Sequence, residues 1–257
     1  MNSLQIVIIQ HNTVWHNPVA NQQRFEIQLN ELLEETKLVI LPEMWTTGFT
    51  MAPERVAETM YGPSIQWMKE MAKKHHIAIC GSLAIQEEKY FYNRFVFVHP
   101  NGRLDTYDKA HPYTPSGEEK VYRAGKQIAL IQYAGFRIRP LVCYDLRFPV
   151  FARNTDDYDL LICVANWPAA RIQAWNALLR ARAIENMAYC VGVNRTGKDT
   201  NQLTYSGASA AYNALGDELI YMDEKQTASA FKIELETLRQ TRKKLPFLKD
   251  QDDFTLI

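Results

Sequence analysis

The stretch that decides the fold runs from Pro140 to Pro149 and has the sequence PLVCYDLRFP. Its apolar beginning predicts a buried strand up to Val142, so that Cys143 stands where the strand should end. We expect a helix to begin within residues 146–154. A cysteine between a strand end and a helix start is a typical setting for an activated nucleophile, because the backbone N–H groups of the helix start favour a thiolate. The stretch therefore predicts that Cys143 is a nucleophile and that the rest of the chain positions it.

Upstream of this stretch, predicted strands and helices alternate. Apolar runs predict strands at residues 4–9, 37–42, 76–83, 90–98 and 104–109. Asn17 followed by Pro18 predicts the start of one helix, and Gly62 followed by Pro63 predicts the start of another. This alternation indicates α/β layering rather than separate helical and sheet regions.

Downstream, the pattern continues with strands around one clear helix. We predict a hairpin from residues 127–134 and 136–142, strands at 158–166, 187–194, 206–212, 218–222 and 228–233, and a helix at 171–186. The chain shows no repeat and no linker. It therefore predicts one domain spanning residues 1–257, with a charged C-terminal tail from about residue 234.

The composition argues against nucleic acids and membranes as partners. The 257 residues are 47% hydrophobic and carry 29 basic and 29 acidic side chains. This balance provides no electrostatic reason to expect a nucleic acid or an anionic membrane as a partner. No segment approaches the run of about 18 apolar residues that a membrane span needs, and the N-terminus lacks the pattern of a signal peptide. We therefore expect a cytoplasmic protein that binds neither a membrane nor a nucleic acid.

The four cysteines do not predict a metal site. Cys80, Cys143, Cys163 and Cys190 form no CxxC pair and no spacing with histidine that resembles a zinc site. Three of them lie inside apolar, strand-like runs. This placement favours reduced, buried thiols over a disulfide framework.

Three polar residues each follow an apolar or strand-like run, namely Glu43, Lys109 and Cys143. Functional groups collect at the carboxyl ends of strands in α/β sheets, so we expect the three to converge. A carboxylate could remove the thiol proton, and a lysine ammonium with the backbone N–H of Tyr144 could stabilise the oxyanion of an attacked amide. Glu118, in the loop after Lys109, could orient that lysine or assist the attacking water.

Each of these residues also has an ordinary structural interpretation. Cys143 could be an inert core thiol, and Glu43 could cap a helix or lie in a loop. Lys109 could be a solvated surface lysine, and Glu118 could belong to a charged loop. From the residues alone, both interpretations stay open.

Three motifs resemble those of the nitrilase superfamily, the carbon–nitrogen hydrolases. The segments LPEMWTTGF (residues 41–49), YDKAH (107–111) and LVCYDLRFP (141–149) are similar to its glutamate, lysine and cysteine motifs and occur in the same order. The likeness extends from the first strand to about residue 233. The resemblance implies a four-layer αββα sandwich, pairing into a homodimer, and no metal or organic cofactor.

The resemblance also implies a role for each motif residue. Glu43 corresponds to the general base and acid, Lys109 to the oxyanion stabiliser, and Cys143 to the nucleophile. Family members often carry a further glutamate after the lysine. Glu118 matches that position best, although the adjacent Glu119 is an alternative.

Further segments resemble the omega-amidase branch of the superfamily. They are FPVF (148–151), VANWP (164–168) and LLRARAIEN (178–186). That branch hydrolyses the terminal amide of 2-oxo dicarboxylic acid monoamides such as 2-oxoglutaramate and 2-oxosuccinamate. The resemblance thus implies a small-molecule amide as substrate.

A substrate of this kind carries a carboxylate, which predicts a cation in the pocket. Arg147 is the first candidate, and its alternative role is to hold the loop by backbone hydrogen bonds. Tyr144, Asn166 and Trp167 are further candidates for the pocket wall.

Other functions remain to be weighed against this one. A relative with the same chemistry could act on N-carbamoyl compounds, on deaminated glutathione or on a nitrile. A binding or regulatory protein could share the fold, but we would expect it to have lost one of Glu43, Lys109 and Cys143. A metal-dependent amidohydrolase is disfavoured by the absence of ligand spacing in the sequence.

Overall fold

Two six-stranded sheets form the centre of the structure, a computed structural model that describes residues 2–255. The strands are, in chain order, β1 (Ser3–Ile9), β2 (Leu38–Ile40), β3 (Ala78–Glu87), β4 (Tyr90–Val98), β5 (Leu104–Asp108), β6 (Ile131–Tyr133), β7 (Phe136–Val142), β8 (Leu160–Ala165), β9 (Tyr189–Asn194), β10 (Thr196–Lys198), β11 (Thr204–Ser206), β12 (Ala210–Tyr212), β13 (Glu218–Tyr221) and β14 (Ala228–Glu234).

The α-helices are α1 (Pro18–Asn30), α2 (Pro63–His75), α3 (Pro149–Ala152), α4 (Ile172–Glu185) and α5 (Leu235–Lys244). The predicted starts of α1 and α2 are confirmed. The Asn17 side chain accepts a hydrogen bond from the backbone N–H of Ala20 (3.1 Å), and Pro18 occupies the first helical position, where a missing N–H costs nothing. Pro63 begins α2 in the same way, directly after Gly62.

Both sheets have parallel strands at their centre and antiparallel strands at their edges. The order in the first sheet is β14-β1-β2-β3-β4-β5, and the order in the second is β13-β12-β9-β8-β7-β6. The parallel pairs are β1/β2 and β2/β3 in one sheet and β7/β8 and β8/β9 in the other. Neighbouring parallel strands have their carboxyl ends at the same edge of the sheet. The residues that follow β2, β7 and β8 can therefore approach one another across the two sheets.

The core is divided into three apolar layers. One cluster joins the two sheets face to face, with Ile6 and Phe95 from the first sheet and Ile138 and Ile162 from the second. A second cluster packs α1 and α2 on the outside of the first sheet, and a third packs α4 on the outside of the second. The layers are therefore helix, sheet, sheet and helix, which confirms the predicted αββα sandwich.

A helix does begin within residues 146–154, as predicted, but it is only the four-residue helix α3. Before it, the chain makes a single 3₁₀ turn at Cys143–Arg147 and leaves the helical conformation at Phe148. Phe148 has φ −107° and ψ 91°, outside the helical region. Pro149 explains the break, because a proline disfavours helical geometry in the residue before it.

The segment after Glu234, predicted as a charged tail, contains α5. Arg239, Lys243 and Lys244 face solvent, whereas Leu235 and Leu238 are buried in the cluster between the sheets. Leucines spaced by three positions lie on one face of a helix, so this short apolar stripe holds an otherwise polar segment on the core. Within residues 2–255, the structure contains no helix with the length and apolarity needed to cross a bilayer.

Candidate active site

The three residues that follow strand-like runs converge on one cavity, as predicted. Glu43 lies shortly after β2, Lys109 directly after β5, and Cys143 directly after β7. All three line a cavity of about 320 Å³. The strand ends of the two sheets thus place a carboxylate, an ammonium and a thiol together.

Cys143 occupies a strained turn that presents its side chain to this cavity. Its φ of 48° lies in the left-handed region, which residues other than glycine seldom adopt. Arg182 of α4 supports the turn by donating two hydrogen bonds to the carbonyl oxygen of Leu146 (3.1 and 2.6 Å). The thiol itself donates a long hydrogen bond to the backbone carbonyl of Asn166 (4.0 Å).

Lys109 lies between two buried carboxylates. Its Nζ is 3.1 Å from Oε1 of Glu43 and 2.8 and 3.0 Å from the two carboxylate oxygens of Glu118. Both glutamates are 0% exposed and Lys109 is 2% exposed. Asn93 of β4 donates hydrogen bonds to both carboxylates, at 2.7 Å to Glu43 and 3.3 Å to Glu118. The charges are therefore paired and hydrogen-bonded, as buried charges must be.

The two carboxylates determine the charge of the lysine. Burial alone would lower the pKa of Lys109, but the charges of Glu118 and then Glu43 outweigh burial and hold that pKa well above its ordinary value. Burial raises the pKa of Glu118, and Lys109 opposes this effect. Lys109 is thus a permanent cation at neutral pH, ready to stabilise a developing oxyanion.

The structure distinguishes Glu118 from Glu119. Glu118 is buried behind Lys109, and its Oε2 also accepts a hydrogen bond from the backbone N–H of Tyr113 (2.5 Å). Glu119 is exposed. Since Glu43 and Lys109 line the cavity while Glu118 contacts the far side of the lysine, the geometry suits Glu118 to orienting Lys109.

The expectation that the turn would favour a thiolate is wrong. Burial, followed by the charge of Glu43, raises the pKa of the Cys143 thiol well above its ordinary value, although Lys109 acts in the opposite direction. A single 3₁₀ turn offers too small a dipole to outweigh these effects. The thiol is therefore protonated at neutral pH, and a nucleophilic role would require a base to remove its proton.

This raised pKa has a measurable consequence. We expect iodoacetamide to alkylate Cys143 in the folded protein more slowly at pH 7 than in the urea-unfolded chain, because only the thiolate reacts. In the folded protein, the alkylation rate should keep rising at pH values well above the alkylation midpoint of the unfolded chain. Mass spectrometry of the alkylated peptide measures both rates. A folded midpoint below that of the unfolded chain would contradict the raised pKa.

All four residues predicted to bind substrate line the cavity, namely Tyr144, Arg147, Asn166 and Trp167. The guanidinium carbon of Arg147 lies 4.8 Å from the centre of the Trp167 ring. Asn166 also holds Glu43, because its backbone N–H and its side-chain amide donate to Oε2 at 2.8 and 3.2 Å. The Oδ1 atom of Asn166 has no hydrogen-bond partner within the described residues, which leaves an acceptor free beside the cavity.

Sequence reasoning missed several residues of the site. Asn93 left one signal, since it is the one amide in a strand that apart from Arg94 is aromatic and aliphatic. Arg171 lines the cavity from the 3₁₀ turn just before α4, and Tyr205 lines it from the short strand β11. Across residues 2–255, no group of three or more His, Cys, Asp or Glu side chains is arranged to hold a metal ion.

Comparison with known proteins identifies the family of this chain. The model of the carbon-nitrogen hydrolase family matches residues 5–243. The chain is 42% identical to Omega-amidase YafV of Escherichia coli strain K12, with 100% of both chains covered. It is 29% identical to the 2-oxoglutaramate amidase of Bacillus subtilis strain 168, with 95% of this chain and 96% of the relative covered.

A solved structure is similar over the same length. It is the crystal structure of XC1258 from Xanthomonas campestris, described as a CN-hydrolase superfamily protein with an arsenic adduct in the active site. The TM-score is 0.97 at 40% identity, and the match covers 100% of both chains. With the family model matching nearly the whole chain, this protein belongs to the carbon-nitrogen hydrolase family.

Proposed function

We propose that this protein is an omega-amidase that hydrolyses the terminal amide of small 2-oxo dicarboxylic acid monoamides, such as 2-oxoglutaramate and 2-oxosuccinamate, to the acid and ammonia. The observation that carries the proposal is the single cavity that joins Cys143, Glu43 and Lys109 to two arginine side chains. The names of the full-length relatives, an omega-amidase and a 2-oxoglutaramate amidase, bear out the activity predicted from the sequence.

The first half of the proposed reaction forms a thioester. Glu43 removes the thiol proton of Cys143 as sulfur bonds to the amide carbon. The carbonyl oxygen becomes an oxyanion, which the Lys109 ammonium and the backbone N–H of Tyr144 stabilise. Glu43 then returns the proton to the nitrogen as the carbon–nitrogen bond breaks, and ammonia leaves.

The second half regenerates the thiol. Water attacks the thioester carbon while Glu43 takes a proton from it, and the same cation stabilises the second oxyanion. The carbon–sulfur bond breaks, the sulfur recovers its proton from Glu43, and the acid leaves. In this scheme Glu118 does not touch the substrate but holds Lys109 by its two carboxylate oxygens.

Two arginines are available for the carboxylate of the substrate. Arg147 and Arg171 both line the cavity and lie over the rings of Trp167 and Tyr113, at 4.8 and 5.5 Å. Neither side chain forms a salt bridge with an acidic residue in the part of the chain that the structure describes. Among residues 2–255, the Arg147 side chain also makes none of the backbone hydrogen bonds that the alternative, loop-holding role requires, so its guanidinium is available there for a carboxylate.

Replacing Arg147 by methionine tests this role. We expect KM for 2-oxoglutaramate to rise about 10- to 100-fold, since a hydrogen bond to a charged group contributes about 1.5–3 kcal/mol. Hydrolysis of pentanamide, which has the same chain length and no carboxylate, should change little. Steady-state ammonia assays with both amides measure the difference. Equal losses on the two amides would indicate a structural arginine.

The decisive test of the function is ammonia release by the purified protein from 2-oxoglutaramate. N-carbamoyl amino acids, deaminated glutathione and small nitriles serve as competing substrates in parallel. A value of kcat/KM highest for 2-oxoglutaramate supports the omega-amidase. A higher value for one of the others would assign the same chemistry to that substrate.

We also propose that residues 1–257 form one domain that pairs into a homodimer in the cytoplasm. The motif resemblance to a dimeric family supports the pairing, and the balanced charge and four free thiols suit a reducing compartment. Sedimentation equilibrium tests the dimer, and fractionation of the source cells tests the location.

A further inference from the structure

We propose that Asp145 is a positioning residue that fixes the Cys143 turn to the segment bearing Lys109. Asp145 has this role only if Cys143 and Lys109 act as proposed above. No part of the proposed chemistry uses its carboxylate, although it is 0% exposed and lies two residues from the thiol. A buried carboxylate needs several hydrogen bonds to offset its desolvation, so the identity of its partners indicates what it holds together.

One group of contacts closes the turn itself. The Oδ2 atom of Asp145 accepts a hydrogen bond from the backbone N–H of Val142 (2.9 Å), the residue just before the thiol. The carbonyl oxygen of Asp145 accepts another from the N–H of Phe148 (3.1 Å). The first of these bonds spans Cys143, whose φ of 48° needs such support because the left-handed region is unfavourable for it, and the second closes the turn after it.

The other group reaches across to the lysine segment. Tyr107 donates its hydroxyl to Oδ2 at 2.8 Å, and His111 donates its backbone N–H to Oδ1 at 2.9 Å. The Nδ1 atom of His111 lies 2.8 Å from the same Oδ1, and it must carry the proton because a carboxylate only accepts. Tyr107 and His111 stand two positions before and two positions after Lys109. The Asp145 carboxylate therefore binds the chain on both sides of Lys109.

Two further contacts make this connection rigid. The Tyr107 hydroxyl also accepts a hydrogen bond from the N–H of Ala110 (3.1 Å), which closes the backbone around Lys109. The His111 ring stacks on Phe148 with centroids 3.9 Å apart and planes 11° apart. The two segments thus meet at a hydrogen-bonded carboxylate and an aromatic stack, and a change at Asp145 would alter the distance between thiol and ammonium.

Replacing Asp145 by asparagine tests the role with nearly unchanged volume. The asparagine amide has one acceptor oxygen, as before, but an NH₂ group replaces the second oxygen. That NH₂ group faces groups that are themselves donors, so at least one contact becomes repulsive. A displacement of about 1 Å at a reacting group can cost about 100-fold in rate. We expect D145N to lower kcat for 2-oxoglutaramate about 10- to 100-fold, with KM changed less than about threefold, because substrate binding uses other side chains.

The pH profile of Cys143 alkylation provides a readout that does not depend on the substrate. Lys109 is the cation that lowers the pKa of the thiol, so loosening the two segments should move the alkylation midpoint of D145N to higher pH. A matched control is Asp159, a buried carboxylate beyond the opposite end of β7, which accepts hydrogen bonds from the Arg137 N–H (2.9 Å) and from Arg242 (3.1 Å). D159N should lower Tm but leave kcat and the alkylation midpoint unchanged.

Tyr107→Phe removes the hydroxyl that donates to Asp145 and accepts from Ala110, and it leaves the Asp145 carboxylate in place. It should change both readouts in the same direction as D145N, by a smaller amount. A wild-type alkylation profile in D145N and Y107F would overturn the proposal. Equal losses of kcat in D145N and D159N, in proportion to their losses of Tm, would also overturn it. If the wild-type protein releases no ammonia from 2-oxoglutaramate, the substrate assignment fails while the alkylation profiles still decide the role of Asp145.

Discussion

Replacing Cys143 by alanine is expected to reduce ammonia release from 2-oxoglutaramate to the uncatalysed background. Without the thiol no thioester can form, and removal of a covalent nucleophile costs on the order of a millionfold in kcat in a well-studied hydrolase. The cavity and the substrate-binding side chains stay in place, so the variant should still bind the amide. Binding can be measured by calorimetry with intact 2-oxoglutaramate, which the variant does not consume.

The same variant should fold normally. Because the pKa of the thiol is raised, Cys143 is neutral at pH 7, and its removal takes no charge from the network of Glu43 and Lys109. Cys190→Ala is a matched control, since Cys190 is a buried free thiol on β9 away from the cavity. It should lose some stability and keep its activity. Activity of C143A close to that of the wild type would rule out the thioester.

Replacing Lys109 by alanine is expected to impair both catalysis and stability. Loss of one oxyanion donor costs about 100- to 1,000-fold in kcat. The deletion also leaves Glu43 and Glu118 as unpaired carboxylates at 0% exposure, and breaking a buried ion pair in this way costs about 3–5 kcal/mol. Assays at a temperature well below Tm, together with urea titration, separate the two effects.

The lost stability of K109A should depend on pH. Burial and the charge of Glu43 already raise the pKa of Glu118, and removing the opposing lysine raises it further. A carboxyl group with a raised pKa binds more protons in the folded state, so folding becomes less favourable as pH rises through that pKa. Tm of the variant should therefore fall from pH 5 to pH 8 more steeply than Tm of the wild type.

Lys120→Ala is the matched control for this prediction, because Lys120 is an exposed lysine in the same 3₁₀ turn as Glu118. It should keep wild-type kcat and a wild-type dependence of Tm on pH. A K109A variant with unchanged kcat would show that Lys109 does not stabilise the oxyanion. Unchanged stability would mean that the two carboxylates find other partners.

Much of the fold could be predicted because buried strands leave long apolar runs in the sequence. The runs that end near Glu43, Lys109 and Cys143 are β2, β5 and β7, and their ends do meet. The helix starts at Pro18 and Pro63 were predictable because the preference for proline at that position is local. Motifs and the ends of strands are determined by residues that are adjacent in the sequence, so a single sequence is enough to predict them.

Other features depend on contacts between distant segments, which the sequence does not display. Asp145 belongs to the motif that contains Cys143, yet its function as a tie to Tyr107 and His111 depends on β5 and β7 lying in facing sheets. Asn93 contacts Glu43 and Glu118 only because β4, the segment after β2 and the 3₁₀ turn at Glu118 meet in the folded chain. Pairing of this kind is set by tertiary packing.

The ionisation of the site was likewise decided by the tertiary structure. The local turn at Cys143 favoured a thiolate, but burial and the approach of Glu43 raise the pKa of the thiol instead. The sequence favoured Glu118 but left the adjacent Glu119 as an alternative, and burial beside Lys109 distinguishes them. The sequence by itself determined which chemical groups this protein has and at which strand ends they lie. Only the folded chain decided their partners and charges, because desolvation and electrostatic interactions depend on distance in space.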